Sequence, residues 1–167
     1  MNKKLIILGS ARSNGHTRKL IDHLLERDAY DVIDLLNYKI GNYDYEYKNA
    51  DDDFLPLMQS IITKYDTFIF ATPVYWYSMS AMMKTFFDRI SDLLRTDKGL
   101  GRQLRGKSMG MISCSGQDDR NEHFAEPFEL TAGYLGMTWI GDIHGFLEAD
   151  ESISEEVKLR LKQFSVG

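Results

Sequence analysis

Near the N-terminus, Gly9-Ser10-Ala11-Arg12-Ser13-Asn14-Gly15-His16-Thr17 combines short hydroxyl and amide side chains with one guanidinium. Ser10, Ser13, Asn14 and Thr17 can each bond an oxyanion, and Arg12 presents a planar fork matched to phosphate. An apolar run, Leu5-Ile6-Ile7-Leu8, precedes this stretch, and a helical pattern, Leu20, Ile21, Leu24 and Leu25, follows it. A strand, a small polar loop and a helix N-terminus in that order aim backbone N–H groups and the positive end of a helix dipole at one point. The chemistry predicted is the binding of a phosphate monoester. Helix capping by Asn14 or Thr17 would explain the hydroxyl and amide groups but not Arg12, because a cation there opposes the dipole unless an anion neutralises it. His16 reads as a partly exposed residue of the first turn rather than a base. The loop matches neither Gly-x-Gly-x-x-Gly nor Gly-x-x-x-x-Gly-Lys-Ser/Thr, so neither nucleotide fingerprint applies.

A second segment, Pro73-Val74-Tyr75-Trp76-Tyr77-Ser78, places three consecutive aromatics where an apolar run ends. Strand alternation cannot bury all three, so some are expected to face a planar ligand or a partner subunit. A third polar turn, Ser115-Gly116-Gln117-Asp118, closes a later run. Cys114 is the only cysteine, which excludes an intramolecular disulfide and a multi-cysteine metal centre. It reads as a buried thiol at a strand end.

These loops need a frame. Apolar and β-branched runs at 3–9, 30–35, 67–72, 107–114 and 137–143 predict five strands. Three-and-four spacing predicts helices over 15–27, from about Asp53 through Ile62, from Ser78 or Ser80 to about Arg95, from 122 to 135 and from 154 to 164. Asp53 is the expected cap of the second helix, and Pro127 must lie near the start of the fourth. The third helix carries Met79, Met82, Met83, Phe86, Phe87, Ile90, Leu93 and Leu94, more apolar residues than one core-facing stripe requires. Residues 37–53, rich in tyrosine, and 96–106 read as loops. Strand and helix alternate throughout, which argues for a parallel sheet covered on both faces. In such sheets ligands bind beyond the carboxyl ends of the strands, so the loops 10–17, 73–78 and 115–118 should converge.

At 167 residues, residues 1–167 are expected to form a single domain. The formal charge of −5, without a block of Lys and Arg, argues against nucleic acid. No apolar run approaches the roughly 18 residues of a membrane span, and Leu5–Leu8 is too short for a signal-peptide core, so a cytoplasmic protein without membrane association is expected.

Gly9-Ser10-x-Arg12-Ser13-x-Gly15-x-Thr17 resembles the phosphate loop of the flavodoxin-fold NAD(P)H-dependent FMN reductases. Ala71-Thr72-Pro73-Val74-Tyr75-Trp76-Tyr77-Ser78-Met79-Ser80, followed by Met83-Lys84-x-Phe86-x-Asp88-Arg89, resembles that family's second flavin-binding segment and its helix. The resemblance implies a flavodoxin-like three-layer α/β/α sandwich with a five-stranded parallel sheet in the order 2-1-3-4-5. It implies non-covalent FMN, with NADPH or NADH as electron donor. Ser10, Arg12, Ser13, Asn14, His16 and Thr17 would surround the phosphate, and Pro73, Val74, Tyr75, Trp76, Tyr77 and Ser78 would line the ribityl chain and ring. Ser115 and Gly116 would complete the site. The acceptor would be a quinone, a nitro or azo compound or free flavin. No catalytic side chain is implied, and the cysteine-free 37–53 connection excludes the iron–sulfur centre of some relatives. Two other readings are a flavodoxin-type electron carrier, which Arg12 and the modest charge oppose, and a non-redox phosphate-binding module, which leaves the aromatic segment unexplained. The surplus apolar residues of the third helix, with the aromatics before it, predict a homodimer. Arg89, Arg95, Arg102 and Arg105 are the cations available to recognise a 2′-phosphate.

Overall fold

The computed structural model describes residues 2–118 and 120–164. In chain order the elements are β1 (Lys4–Leu8), α1 (His16–Leu25), β2 (Tyr30–Asp34), α2 (Phe54–Lys64), β3 (Thr67–Tyr75), β4 (Ser78–Met79), α3 (Ala81–Arg95), α4 (Lys98–Arg102), β5 (Ser108–Ser115), α5 (Glu126–Leu135), β6 (Thr138–Phe146) and α6 (Glu155–Phe164). The sheet order is β2-β1-β3-β5-β6, with β4 paired only to β3. All neighbours on that path run parallel. The five long strands thus have the expected flavodoxin-like order. The sixth, β4, is the two-residue antiparallel return of a hairpin.

Strand alternation divides the core between two layers. From β1, Leu5 and Ile7 join a cluster with Leu57, Ile61, Phe86 and Phe128, which places α2, α3 and α5 on one face. Ile6 and Leu8 join Leu20, Ile21, Leu24, Val157 and Leu161, which places α1 and α6 on the other. Each such side chain contributes about 1.5–3 kcal/mol by leaving water, so the central strands hold their carboxyl ends in fixed positions.

Several elements depart from expectation. β3 runs to Tyr75 rather than 72, with Pro73 inside it. The Gly9 N–H donates to the Ala71 carbonyl across the β1 side, so alternation turns the Pro73 nitrogen to that same side, where β1 has ended. Its missing N–H therefore breaks no ladder bond. Within 96–106 lies a short helix, α4, whose cap Asp97 accepts from the Leu100 N–H at 3.0 Å. The helix expected from 122 begins as a 3₁₀ turn over Glu122–Ala125, with Pro127 in the first turn of α5. β6 extends to Phe146, past an irregularity where Met109 pairs Trp139 but Met111 pairs Asp142. The extra residue is taken up at Gly141, whose φ of +98° suits glycine.

Asp53 stands at the N-cap position of α2, as expected, but its side chain makes no capping bond. Asp52 accepts from the Phe54 N–H at 2.9 Å, while Asp53 accepts from the Lys39 N–H at 2.6 Å. Asp52 also pairs with Arg89 of α3, which is 1% exposed and bonds Asp92 and the carbonyls of Gly41 and Asn49. Arg89 is thus the pin of the tyrosine-rich loop and is withdrawn from the candidates for 2′-phosphate recognition. The α3 apolar surplus is also absorbed within the chain. Met83, Phe86, Ile90 and Leu93 are buried, and Met82, Phe87 and Leu94 pack half-buried against the same cluster.

Candidate functional site

The site lies at the carboxyl edge of β1, β3 and β5, where the three polar segments meet. One cleft of about 170 Å³ is lined by Ser10, Arg12, His16, Thr17, Pro73, Val74, Tyr75, Cys114, Ser115 and Gly116. A larger one of about 440 Å³ is lined by Val74, Trp76, Tyr77, Ser115, Gly116 and Gln117. Val74, Ser115 and Gly116 border both, so the two form one trough, polar at the α1 end and aromatic at the other.

At the polar end, α1 begins after Gly15, with no side-chain cap and no acidic residue in its first turn. Neither Asn14 nor Thr17 caps it. The first-turn N–H groups are left with the dipole's positive end toward the trough, an arrangement that favours an anion. Ser10 and Thr17 are buried, Ser10 Oγ accepts from the Arg12 N–H at 3.3 Å, and Arg12 is exposed above them. Among the described residues Arg12 has no carboxylate partner. His16, the first residue of α1, is half-exposed and 4.0 Å from Glu151. Lys19 foremost, then His16 and Arg12, hold the Glu151 carboxyl below the usual range.

A buried junction fixes the spacing of the two ends. Ser80 Oγ donates to the Gly9 carbonyl at 2.6 Å and accepts from the Met83 N–H at 3.1 Å, capping α3. The Ser80 N–H donates to Thr72 Oγ1 at 3.0 Å, and that hydroxyl donates to the Pro73 carbonyl at 3.0 Å. Gly9 approaches α3 closely here: a Cβ would lie 2.8 Å from the flexible Met83 Cε and 3.1 and 3.3 Å from its Cβ and Cα, so the helix start would have to give way slightly. The phosphate-loop candidate, the end of β3 and the start of α3 are therefore one bonded unit.

At the aromatic end, Val74 pairs Met79 and Tyr75 pairs Ser78, so Trp76 and Tyr77 form a two-residue turn. Their φ values are +49° and +63°, the left-handed region at both central positions. Such turns favour Asn and Gly, and bulky residues held there mark strain that clusters at ligand sites. Tyr75, Trp76 and Tyr77 are 43%, 93% and 73% exposed.

Of the residues singled out in the sequence, Ser13, Asn14 and Ser78 do not line the trough. Ser13 and Asn14 form the exposed turn before α1, and Ser78 is exposed on β4. Gln117 and Cys114 do line it. Gln117 stood in the third polar turn, so its position was the available signal. Burial foremost pushes the Cys114 thiol up to about 12, consistent with a packing role. Among the described residues no group of His, Cys, Asp and Glu could hold a metal ion, and no helix is long and apolar enough to cross a membrane.

The trough suits a ligand with a phosphate at one end and a flat ring at the other. FMN fits on three counts: the uncapped α1 N-terminus beside Arg12, the Gly9 close approach that lowers the loop onto α3, and the aromatic turn. Ligand pockets of such molecules typically enclose about 300–1,000 Å³, the range of this trough.

Residues 2–150 match the family model described as NADPH-dependent FMN reductase. YwqN of Bacillus subtilis (strain 168), described as an NAD(P)H-dependent FMN-containing oxidoreductase, is 29% identical over 153 residues, 86% of this chain and 84% of that protein. KefG of Cronobacter sakazakii, an ancillary protein of a glutathione-regulated potassium-efflux system, is 28% identical over 122 residues, 65% of this chain and 66% of that protein. The structure of the Trp repressor binding protein from Bacillus subtilis superposes with a TM-score of 0.78 at 23% identity, covering 97% of each chain.

Proposed function

The chain belongs to the NADPH-dependent FMN reductase family, and from that premise we propose which residues hold the cofactor and what the enzyme reduces. It is an NAD(P)H-dependent oxidoreductase with FMN as cofactor. The single observation that carries the residue assignment is the continuous trough from the α1 N-terminus to the Trp76-Tyr77 turn.

Ser10, Arg12, His16 and Thr17 hold the phosphate, with Ser13 and Asn14 forming the turn that leads into α1. Arg12 neutralises the phosphate charge that the α1 dipole alone offsets only in part. Pro73, Val74 and Tyr75 follow the ribityl chain, and Trp76, Tyr77, Ser115, Gly116 and Gln117 surround the ring, with Ser78 behind the turn. When bound, FMN would supply the redox chemistry that links nicotinamide and acceptor. The protein's part is to orient the ring at an open aromatic platform that donor and acceptor occupy in turn. No side chain in the trough is placed as an acid or base, so none is called catalytic.

The acceptor is a small planar compound, of the quinone, nitroaromatic, azo or free-flavin class, able to stack beside Trp76 and Tyr77. Residues 1–167 act as one FMN-binding domain in the cytoplasm, where NAD(P)H is at hand. The exposed Tyr75-Trp76-Tyr77 segment supports a homodimer that helps wall the flavin site and leaves the platform open, now without the α3 surplus as a second reason.

The test is a visible spectrum of purified protein with added FMN, before and after NADH or NADPH. Bound flavin that bleaches on adding a nicotinamide is the expected result. Flavin that binds but bleaches only with a partner reductase would mean an electron carrier, and protein that binds no FMN would overturn the reading.

A further inference from the structure

One buried group touches the third loop from behind. His144 of β6 is 6% exposed, and its ring lies between two serines of β5. Nδ1 is 3.0 Å from Ser113 Oγ and Nε2 is 3.0 Å from Ser115 Oγ. Ser115 Oγ donates to the Gln117 carbonyl at 2.5 Å, which leaves its oxygen to accept and assigns the imidazole proton to Nε2. Nε2 also faces the Gln117 carbonyl at 3.4 Å. Nδ1 then accepts from the Ser113 hydroxyl, whose oxygen accepts from Arg120 Nη1 at 3.2 Å. The chain of donors runs from Arg120 through Ser113, His144 and Ser115 to Gln117, and its last two members line the trough.

We propose that His144 is a positioning residue for the FMN site: its neutral Nε2–H tautomer holds Ser115 and Gln117 against the ring end, and a second proton, at Nδ1, puts a charge beside Arg120 and Arg160 that drives the imidazole from its place and so releases them. The proposal rests on the flavin reading given above.

A second proton on the ring would need an acceptor at Nδ1. Ser113 would have to turn its hydrogen to the Ile143 carbonyl, 3.3 Å away. The new charge would sit buried, facing Arg120 from the turn after β5 and Arg160 from α6. The carboxylates nearby are already engaged: Asp142 of β6 by Arg120, and Asp118 by Arg160. Arg160 also bonds the His144 carbonyl at 3.3 Å. Burial foremost, with Arg120 and Arg160, holds the imidazole below its ordinary range, against the pull of the Gln117 carbonyl and Asp118. A histidine that must stay neutral, in a network whose far end is the ligand site, makes flavin affinity depend on its protonation.

The experiment is FMN titration by flavin fluorescence from about pH 4 to 8 (roughly the imidazole range and the values below it) on wild type, His144→Gln and His144→Leu. Glutamine carries an amide N–H where Nε2–H stood, so His144→Gln should keep the neutral-pH affinity within about twofold. His144→Leu should bind about fivefold more weakly, the loss of one neutral hydrogen bond. Because the ring is held neutral, wild type should lose affinity relative to His144→Gln only as pH falls well below the ordinary imidazole value of about 6.5. The second ionisation of FMN's phosphate, near 6, acts alike in all three proteins and cancels in that ratio. A wild-type to Gln ratio that stays flat across the range, or a Gln variant as weak as Leu, would overturn the role. If His144→Leu does not fold, the wild-type to His144→Gln ratio across pH decides alone. Wild type that binds no FMN at any pH sinks the flavin reading and this role with it, whereas wild-type binding with a flat ratio removes His144's role alone.

Discussion

The Trp76-Tyr77 turn offers a test in which stability and function should move in opposite directions. Both residues hold positive φ between the paired Tyr75 and Ser78, the geometry of a type I′ hairpin turn. For an L-residue the left-handed region costs roughly 1–2 kcal/mol. Replacing the pair with Trp76→Asn and Tyr77→Gly relieves part of that cost at the first position and all of it at the second. Glycine returns about 0.5–1 kcal/mol through its freer unfolded chain. The two rings are 93% and 73% exposed, so little burial is forfeited. The net expectation is a gain of about 1–2 kcal/mol, or a Tm higher by about 3–6 °C for a chain of this size. Urea and thermal melts should be run on flavin-free protein, because bound FMN would add its own stabilisation. The same variant should bind FMN more weakly and turn over more slowly. Unchanged or reduced stability would refute the strain assignment. Greater stability with unimpaired flavin binding and turnover would show that these rings are not the platform.

Two further outcomes follow from buried groups. Arg89→Met leaves Asp52 and Asp92 without their cation and should cost about 3–5 kcal/mol in urea unfolding. The sign of the accompanying pH dependence is set by Asp52: burial would raise its pKa, but Arg89 and the N–H groups of Phe54 and Gly41 outweigh this and hold it low. Its contribution is complete above the ordinary carboxylate value of about 3.9 and lost as pH falls through the lowered folded value, so Asp52→Asn should flatten the acid limb of a stability–pH curve. Cys114, buried and held near 12, should resist thiol reagents at mildly alkaline pH in native protein and react readily in urea; equal rates in both states would refute its assignment as a packing residue.

The sequence made the layered sheet legible because β1 and β3 are buried on both faces and read as continuous apolar runs. The first loop was legible for a related reason: Arg12 stands where capping chemistry gives a cation no role. The hairpin after β3 was not, because its turn lacks the Asn or Gly that signals a I′ geometry; Trp76-Tyr77 reads as a continuing aromatic loop. Arg89 follows an aspartate on an amphipathic helix and looks like surface, and nothing local announces that Asp52, far back in the chain, will cover it. α4 carries Gly99 and Gly101, which depress helix propensity, and forms because Asp97 caps it and Leu100 is buried. The homodimer expectation drew on a helix whose apolar surplus proved to be needed by the chain's own tyrosine-rich loop and core.

The junction of Gly9, Thr72 and Ser80 has a consequence for what the trough can accept. Because both loops are bolted to the start of α3, the gap between them behaves as a ruler of set length. On the flavin reading, riboflavin would reach only the aromatic mark, and a dinucleotide flavin would overrun the α1 mark with its second phosphate. The hairpin tip projects beyond the ruler, so substitutions at Trp76 or Tyr77 can retune which acceptors stack there while the length standard beneath stays unchanged.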